Sequence, residues 1–145
     1  MSDSDPITAL NEVLSEVIDV VQDVKQARRR VDASHALRPE VDRLFDDVLA
    51  WAQLLMMQDE ALGVSPLGRM PSVAGRTPPN LWPSAASDRE VCTLLDQHLG
   101  RLEAHVTDAL AQQTDAGSVK SLGDVQAAVT AHRRALHDVQ LAEPS

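Results

Sequence analysis

Apolar residues recur at steps of three and four along most of this chain, which is the period of an amphipathic α-helix. The first such stripe predicts a helix over about residues 6–33. It begins at Pro6, directly after Asp5, because an aspartate can cap the free amides of a helix and a proline fits its first position. Its apolar positions are Ile7, Leu10, Leu14, Val17, Val21, Val24 and Val31.

Three further stripes predict helices over about residues 39–62, 88–113 and 121–141. Gly63 is a typical stop for the second helix, and Ser87-Asp-Arg-Glu90 is a capping-box pattern that opens the third. Short turns within each pair make the pairs antiparallel hairpins. The sequence therefore predicts a single all-α domain, a four-helix bundle of two hairpins joined by a long Pro-rich connection.

That connection, residues 63–87, holds five of the eight prolines and no acidic residue. Its apolar residues recur every third position, which is the period of an extended polyproline helix. Its length allows it either to cross the bundle or to pack at one end. Four of its residues form a candidate docking segment for an acidic protein partner: Arg69, Arg76, Leu81 and Trp82.

Charge and composition exclude several classes of function. The formal net charge of −9 argues against a nucleic-acid binder, because phosphate binding needs clustered Lys or Arg. A single cysteine, Cys92, indicates a reducing compartment and is expected to be a small buried residue. No signal-peptide pattern and no run of roughly 18 apolar residues is present, so we expect a cytoplasmic protein without membrane contact.

Three of the five histidines are candidates for a metal site. His98 and His105 are seven residues apart at the edge of the third helix's apolar stripe, and His132 takes a core-register position in the fourth helix. All three could approach one another. They lack the Glu-x-x-His spacing of di-metal sites in bundles, which favours partly buried, hydrogen-bonded histidines, and we assign no metal or cofactor from the sequence.

The segment Leu44-Phe-Asp-Asp-Val-Leu49 resembles the second helix of the stress-protective ferritin-like proteins. This resemblance and the possible crossover imply a ferritin-like metal-binding bundle as an alternative function. The chain has Asp42 where those proteins usually have a histidine, and Ala50 where they have a glutamate. The resemblance therefore transfers no ligand.

An acidic face on the first helix gives a second alternative. It comprises Glu12, Glu16, Asp19 and Asp23, and Asp42 and Asp46 of the second helix could join it around a divalent ion. Asp46-Asp-Val-Leu49 is similar to the second motif of the MazG-type nucleotide pyrophosphohydrolases, which implies a magnesium-dependent enzyme. A solvated acidic face explains the same residues.

The main functional prediction is a non-enzymatic bundle that acts through protein contacts, with a protein partner or as a homo-oligomer. It rests on the near-continuous heptad of the first helix and on the broad apolar arc of the second. No nucleophile elbow, phosphate-binding loop, paired-cysteine motif or dinucleotide fingerprint is present in the sequence. We therefore assign no catalytic residue.

Overall fold

The computed structural model describes residues 5–63 and 87–142, and these residues form four α-helices. The helices are α1 (Pro6–Arg30), α2 (Leu37–Ala61), α3 (Asp88–Gln112) and α4 (Ala116–Ala142). Neither described range contains a strand. The predicted all-α four-helix bundle is confirmed.

Side-chain caps fix two of the helix starts at the predicted residues. The carboxylate of Asp5 accepts a hydrogen bond of 2.7 Å from the amide of Thr8. At the start of α3, Ser87 Oγ accepts from the amide of Glu90, and the Glu90 carboxylate accepts from the amide of Ser87, both at 3.1 Å. These bonds satisfy amides that have no partner inside the helix, and each cap of this kind contributes about 1 kcal/mol.

Other helix ends differ from the prediction by a few residues. α1 ends at Arg30 instead of 33, because the following residues form a turn in which Asp32 accepts from the amide of Ser34. α2 begins at Leu37, two residues before the predicted start. α4 begins at Ala116 instead of 121, because Asp115 accepts from the amide of Ser118 at 3.0 Å and caps the helix earlier.

The helices form a square in which α1 and α4 each pack against both α2 and α3. Cross-helix bonds show that each neighbouring pair is antiparallel. Arg28 bonds to Asp42 towards one end of the α1–α2 pair, and Asn11 bonds to Asp59 towards the other. The diagonal helices α2 and α3 therefore run in the same direction, so α2 ends at the opposite end of the bundle from the start of α3.

This order is that of bundles with one long crossover connection, such as the ferritin-like folds. Residues 64–86 lie outside the described residues. The polyproline prediction and the docking residues Arg69, Arg76, Leu81 and Trp82 lie outside them as well.

Aliphatic side chains fill the interior of the bundle. Leu10, Leu14, Leu99 and Leu122 are completely buried, and burial of such a side chain stabilises the fold by about 1.5–3 kcal/mol. Cys92 is buried with its Sγ 3.5 Å from the carbonyl oxygen of Leu136, as expected for a small core residue. The buried polar residues are Asn11, Asp23, Asp59, His98, Ser118 and Ser121.

No helix in the described part of the chain is both long enough and apolar enough to cross a membrane.

Candidate functional site

Four ionisable side chains meet where α1 packs against α3. We call them the seam cluster: Glu16 and Asp23 on α1, and His98 and His105 on α3. Each pair is seven residues apart, which is two helical turns, so its members lie on the same face of their helix. Because α1 and α3 are antiparallel, the two pairs face each other in opposite order.

His98 is the centre of the seam cluster. Its Nδ1 donates to Oδ2 of Asp23, and its Nε2 lies 3.2 Å from Oε1 of Glu16. Only 10% of the His98 side chain and 5% of the Asp23 side chain are exposed. With a carboxylate oxygen at each ring nitrogen, both nitrogens act as donors and the ring is an imidazolium.

Burial of His98 disfavours its positive charge and so lowers its pKa. The hydrogen bonds that His98 makes to Asp23 and Glu16, and the negative charges of these two carboxylates, have the opposite effect and outweigh it. Together they raise the pKa of His98 from 6.5 to about 9. The hydrogen bond from His98 also holds the pKa of Glu16 below its usual value against the effect of burial, with help from the charges of His98, His105 and Arg101. At neutral pH the seam cluster therefore holds a cation between two anions.

His105 connects the seam cluster to solvent. Its Nδ1 lies 3.7 Å from Oε2 of Glu16, and 54% of its side chain is exposed. The two oxygens of Glu16 therefore face two different imidazoles. One of these imidazoles is buried, and the other is open to the solution.

His132 lies elsewhere in the fold. Its Nε2 is 2.6 Å from Oδ2 of Asp47, and its ring meets the edge of Trp51, so it belongs to the contact between α2 and α4. The remaining histidines also face carboxylates away from the seam cluster: His35 lies near Asp88 and His137 near Asp96. Of the three candidate histidines, the structure brings His98 and His105 together and places His132 apart from them.

The sequence missed the inward position of Glu16 and Asp23. Both were assigned to a solvated acidic face, although each directly precedes a buried valine of the apolar stripe, Val17 or Val24. A seven-residue spacing on both helices was the signal that could have paired them with His98 and His105.

The carboxylates proposed for a magnesium site do not converge. Asp42 accepts hydrogen bonds from Arg28 at 3.2 Å and from Arg38 at 3.1 Å, towards the opposite end of α1 from Glu12. Asp46 and Glu12 are both exposed. The geometry therefore does not support the MazG-like alternative.

No group of three or more His, Cys, Asp or Glu side chains within residues 5–63 and 87–142 is arranged as a preformed metal site. In the seam cluster the carboxylates contact the imidazole nitrogens directly, so a cation can bind there only in place of a ring proton. A di-metal centre of the bundle type draws carboxylates from all four helices and a histidine from two of them. The buried residues of α4 are serines and aliphatic residues only, so a di-metal centre does not fit the interior that the structure describes.

Comparison with known proteins places the fold. No protein-family model matches the sequence, and no curated protein matches it. The structure is similar to a crystal structure from Bacillus anthracis str. Ames described as a ferritin-like, diiron-carboxylate protein. The TM-score is 0.73 and the sequence identity 20%, and the match covers 97% of this chain and 99% of the other.

This likeness corrects the main functional prediction. The prediction of a non-enzymatic bundle that acts through protein contacts or self-association was wrong, because 97% of the chain matches the fold of a protein described as ferritin-like.

Proposed function

We propose that this chain is a ferritin-like bundle that binds a divalent metal ion at the seam cluster. Glu16, His98 and His105 are the ligands, and Asp23 orients His98. The observation that carries the proposal is that the two carboxylate oxygens of Glu16 each face a different imidazole. The fold it shares with a protein described as diiron-carboxylate supports a role in metal binding.

The two contacts of Glu16 with the imidazoles are close in length to the distance between neighbouring ligands of a small divalent ion. Ligands bound at about 2.0–2.2 Å in a tetrahedral arrangement lie roughly 3.3–3.6 Å from one another. Glu16 Oε1 is 3.2 Å from His98 Nε2, and Glu16 Oε2 is 3.7 Å from His105 Nδ1. An ion that binds here replaces the proton between Glu16 and His98. The side chains must also rearrange to bring all three donors onto one ion, because no group of three ligands is preformed among the described residues.

Asp23 supplies the interaction that ligating histidines usually have on their other nitrogen. A metal-bound imidazole commonly donates from its second nitrogen to a carboxylate, which fixes the orientation and tautomer of the ring. Asp23 accepts from Nδ1 of His98 in this way and is almost fully buried. It therefore directs Nε2 of His98 towards Glu16.

Two imidazoles and one carboxylate form a ligand set known from metal sites that leave further positions open to water or substrate. In this chain the open side is that of His105, whose side chain is half exposed. We assign no reaction to the seam cluster.

Isothermal titration of the metal-free protein with Zn²⁺ tests the proposal. Glu16→Gln and His105→Gln each remove one ligand, and His105→Gln perturbs folding least because its side chain is the most exposed of the four. His132→Gln is the matched control, since it removes a histidine that also contacts a carboxylate but lies between α2 and α4.

We expect Zn²⁺ binding by the wild-type chain and by His132→Gln, and at least tenfold weaker binding by the two ligand variants. Circular dichroism confirms that each variant is folded. The proposal is refuted if the wild-type chain does not bind Zn²⁺, or if Glu16→Gln and His105→Gln bind it as tightly as the wild-type chain.

A further inference from the structure

We propose that the connection between α2 and α3 docks along the outer face of α1 and is held there by its two arginines. Arg69 pairs with Glu12, and Arg76 pairs with Asp19. The docking is independent of metal binding at the seam cluster. Three observations support it: the positions of the helix ends, the spacing of the charges, and the burial of the outer face of α1.

The helix ends determine where the connection starts and finishes. Asn11 of α1 bonds to Asp59 of the antiparallel α2, so Gly63 lies level with about position 7 of α1. The imidazole of His98 in α3 lies between two carboxylates of α1, around position 20. Ser87, eleven residues before His98, therefore lies level with about position 31. The connection must span the whole length of α1.

The connection and α1 cover this length in the same number of residues. Twenty-four steps lead from Gly63 to Ser87, and twenty-four lead from Pro6 to Arg30. At 1.5 Å per helical residue the length is about 36 Å, about half of what an extended chain of 24 residues can reach. Residues at equal distances from the starts of the two segments therefore lie at about the same level of the bundle.

The charges of the two segments follow the same register. Arg69 and Arg76 are six and thirteen residues after position 63, and they are the only charged residues from 64 to 86. Glu12 and Asp19 are six and thirteen residues after position 6, in a stretch of α1 without Lys or Arg up to position 24. Each arginine is therefore level with a carboxylate. The uncharged part of the connection, residues 77–86, is level with the basic end of α1, which holds Lys25, Arg28, Arg29 and Arg30.

The outer face of α4 is the other route, because α4 also packs against both α2 and α3. Its outward charges alternate in sign, and Lys120 already pairs with Asp124 at 3.1 Å. Lys120 lies near the end of the bundle where α2 finishes, since Gln58 of α2 bonds to Ser118. A cation at that end would repel Arg69. Charge complementarity therefore selects α1.

The burial of α1 also indicates that its outer face is covered. Asp19 is nine residues from the completely buried Leu10, which is two and a half helical turns, so Asp19 points away from the bundle. It is nevertheless only partly exposed. Ala131 of α4 stands in the same relation to the completely buried Leu122, and Ala131 is exposed. The outer face of α1 is therefore the more covered of the two.

This arrangement gives the arginines of the connection a role inside the chain. Arg69 and Arg76 neutralise carboxylates of α1 and are not available to an acidic protein partner. The outer face of α4 stays open to solvent.

Disulfide trapping tests the position of the connection without changing its charges, in a chain in which Cys92→Ala removes the native thiol. The α1 pair combines Ser72→Cys with Ser15→Cys, because both residues are nine steps from the start of their segment. The α4 pair combines Ser72→Cys with Ala127→Cys and is the matched control. Ala127 lies five residues after a completely buried leucine of α4, as Ser15 does in α1.

A disulfide forms only between cysteines whose Cα atoms come within about 7 Å of each other. We expect the α1 pair to form its intramolecular disulfide about tenfold or more faster than the α4 pair under mild oxidation, as measured by mass spectrometry. Circular dichroism confirms that each variant is folded. Equal rates for the two pairs, a faster α4 pair, or no disulfide in either pair overturns the docking on α1 and leaves the arginines available to a partner.

Charge reversal in the α1 pair tests the ion pairs themselves. Glu12→Lys together with Asp19→Lys should slow disulfide formation about threefold or more, because two attractions become repulsions. Adding Arg69→Glu and Arg76→Glu should restore the original rate. A rate that does not change on reversal, or that is not restored by the second reversal, overturns the assigned pairs.

Discussion

Alkaline pH should weaken this bundle, because it removes one of the two ring protons that His98 donates to Asp23 and Glu16. The pKa of His98 is raised from 6.5 to about 9 in the folded chain. A group whose pKa is higher in the folded state stabilises the fold fully below its unfolded pKa. That stabilisation is lost as the pH rises through the folded pKa, so the decline should fall between about pH 6.5 and 9.

The size of the effect follows from the two pKa values. A difference of one pKa unit corresponds to 1.36 kcal/mol, so a change from 6.5 to about 9 corresponds to about 3 kcal/mol. Solvent reduces this little, because only 10% of the His98 side chain is exposed. Domains of this size are stable by about 5–15 kcal/mol, so the loss is a large share of the total.

Urea unfolding followed by circular dichroism at 222 nm, at pH values from 6 to 9.5 and with a chelator present, measures this decline. His98→Gln should be less stable than the wild-type chain at pH 6 and nearly independent of pH up to 9. His132→Gln keeps His98 and should retain the wild-type decline. A wild-type stability that stays constant across this window, or a decline of equal size in His98→Gln, would refute the ion-pair reasoning.

Three further stability predictions use the same unfolding assay. Leu14→Ala should lower the free energy of unfolding by about 2–5 kcal/mol, because Leu14 is completely buried. Leu141→Ala, at a position that is 84% exposed, should change it by less than about 0.5 kcal/mol. Equal losses in the two variants would contradict the assigned core. Ser87→Ala removes half of the capping box of α3 and should cost about 1 kcal/mol, and no change would show that the cap is dispensable. Gly63→Ala should lower the free energy of unfolding by about 1 kcal/mol, because Gly63 has a φ of 77°. Gly123→Ala should raise it by up to about 1 kcal/mol, because Gly123 lies within helix α4 and an added Cβ would meet open space. A change of the same sign in both variants would be inconsistent with these backbone conformations.

The helices and their class followed from the sequence because their determinants are local. The stripe from Leu10 to Val24 and the caps at Asp5 and Ser87 act within a few residues of one another. The start of α4 was missed because both Asp115 and Ser121 can cap a helix, and only the packed structure shows Ser121 buried inside it. The direction of α3 relative to α2 was not predictable, since the length of the connection permits either direction.

The candidate site was only half visible in the sequence. The pairing of His98 with His105 followed from their spacing on one helix. Their carboxylate partners depend on how α1 and α3 are rotated and aligned, which is a property of tertiary packing. The position of His132 was predicted wrongly for the same reason, because in the packed bundle His132 of α4 contacts Asp47 of α2 and does not face α3.

The functional prediction failed for a related reason. It used the broad apolar arc of α2, including Val48, Trp51 and Leu55, as evidence for contacts between molecules. In the fold these residues are buried against the rest of the same chain. An apolar surface counted on an isolated helix therefore overstates what remains for a partner.

The most direct test of the proposed site is the position of a bound ion in a crystal of the protein grown with Zn²⁺, located by anomalous diffraction at the zinc absorption edge. We predict one peak per chain, between Glu16, His98 and His105, with Asp23 still accepting from Nδ1 of His98. A peak in the interior of the bundle, or no peak between α1 and α3, would contradict the account.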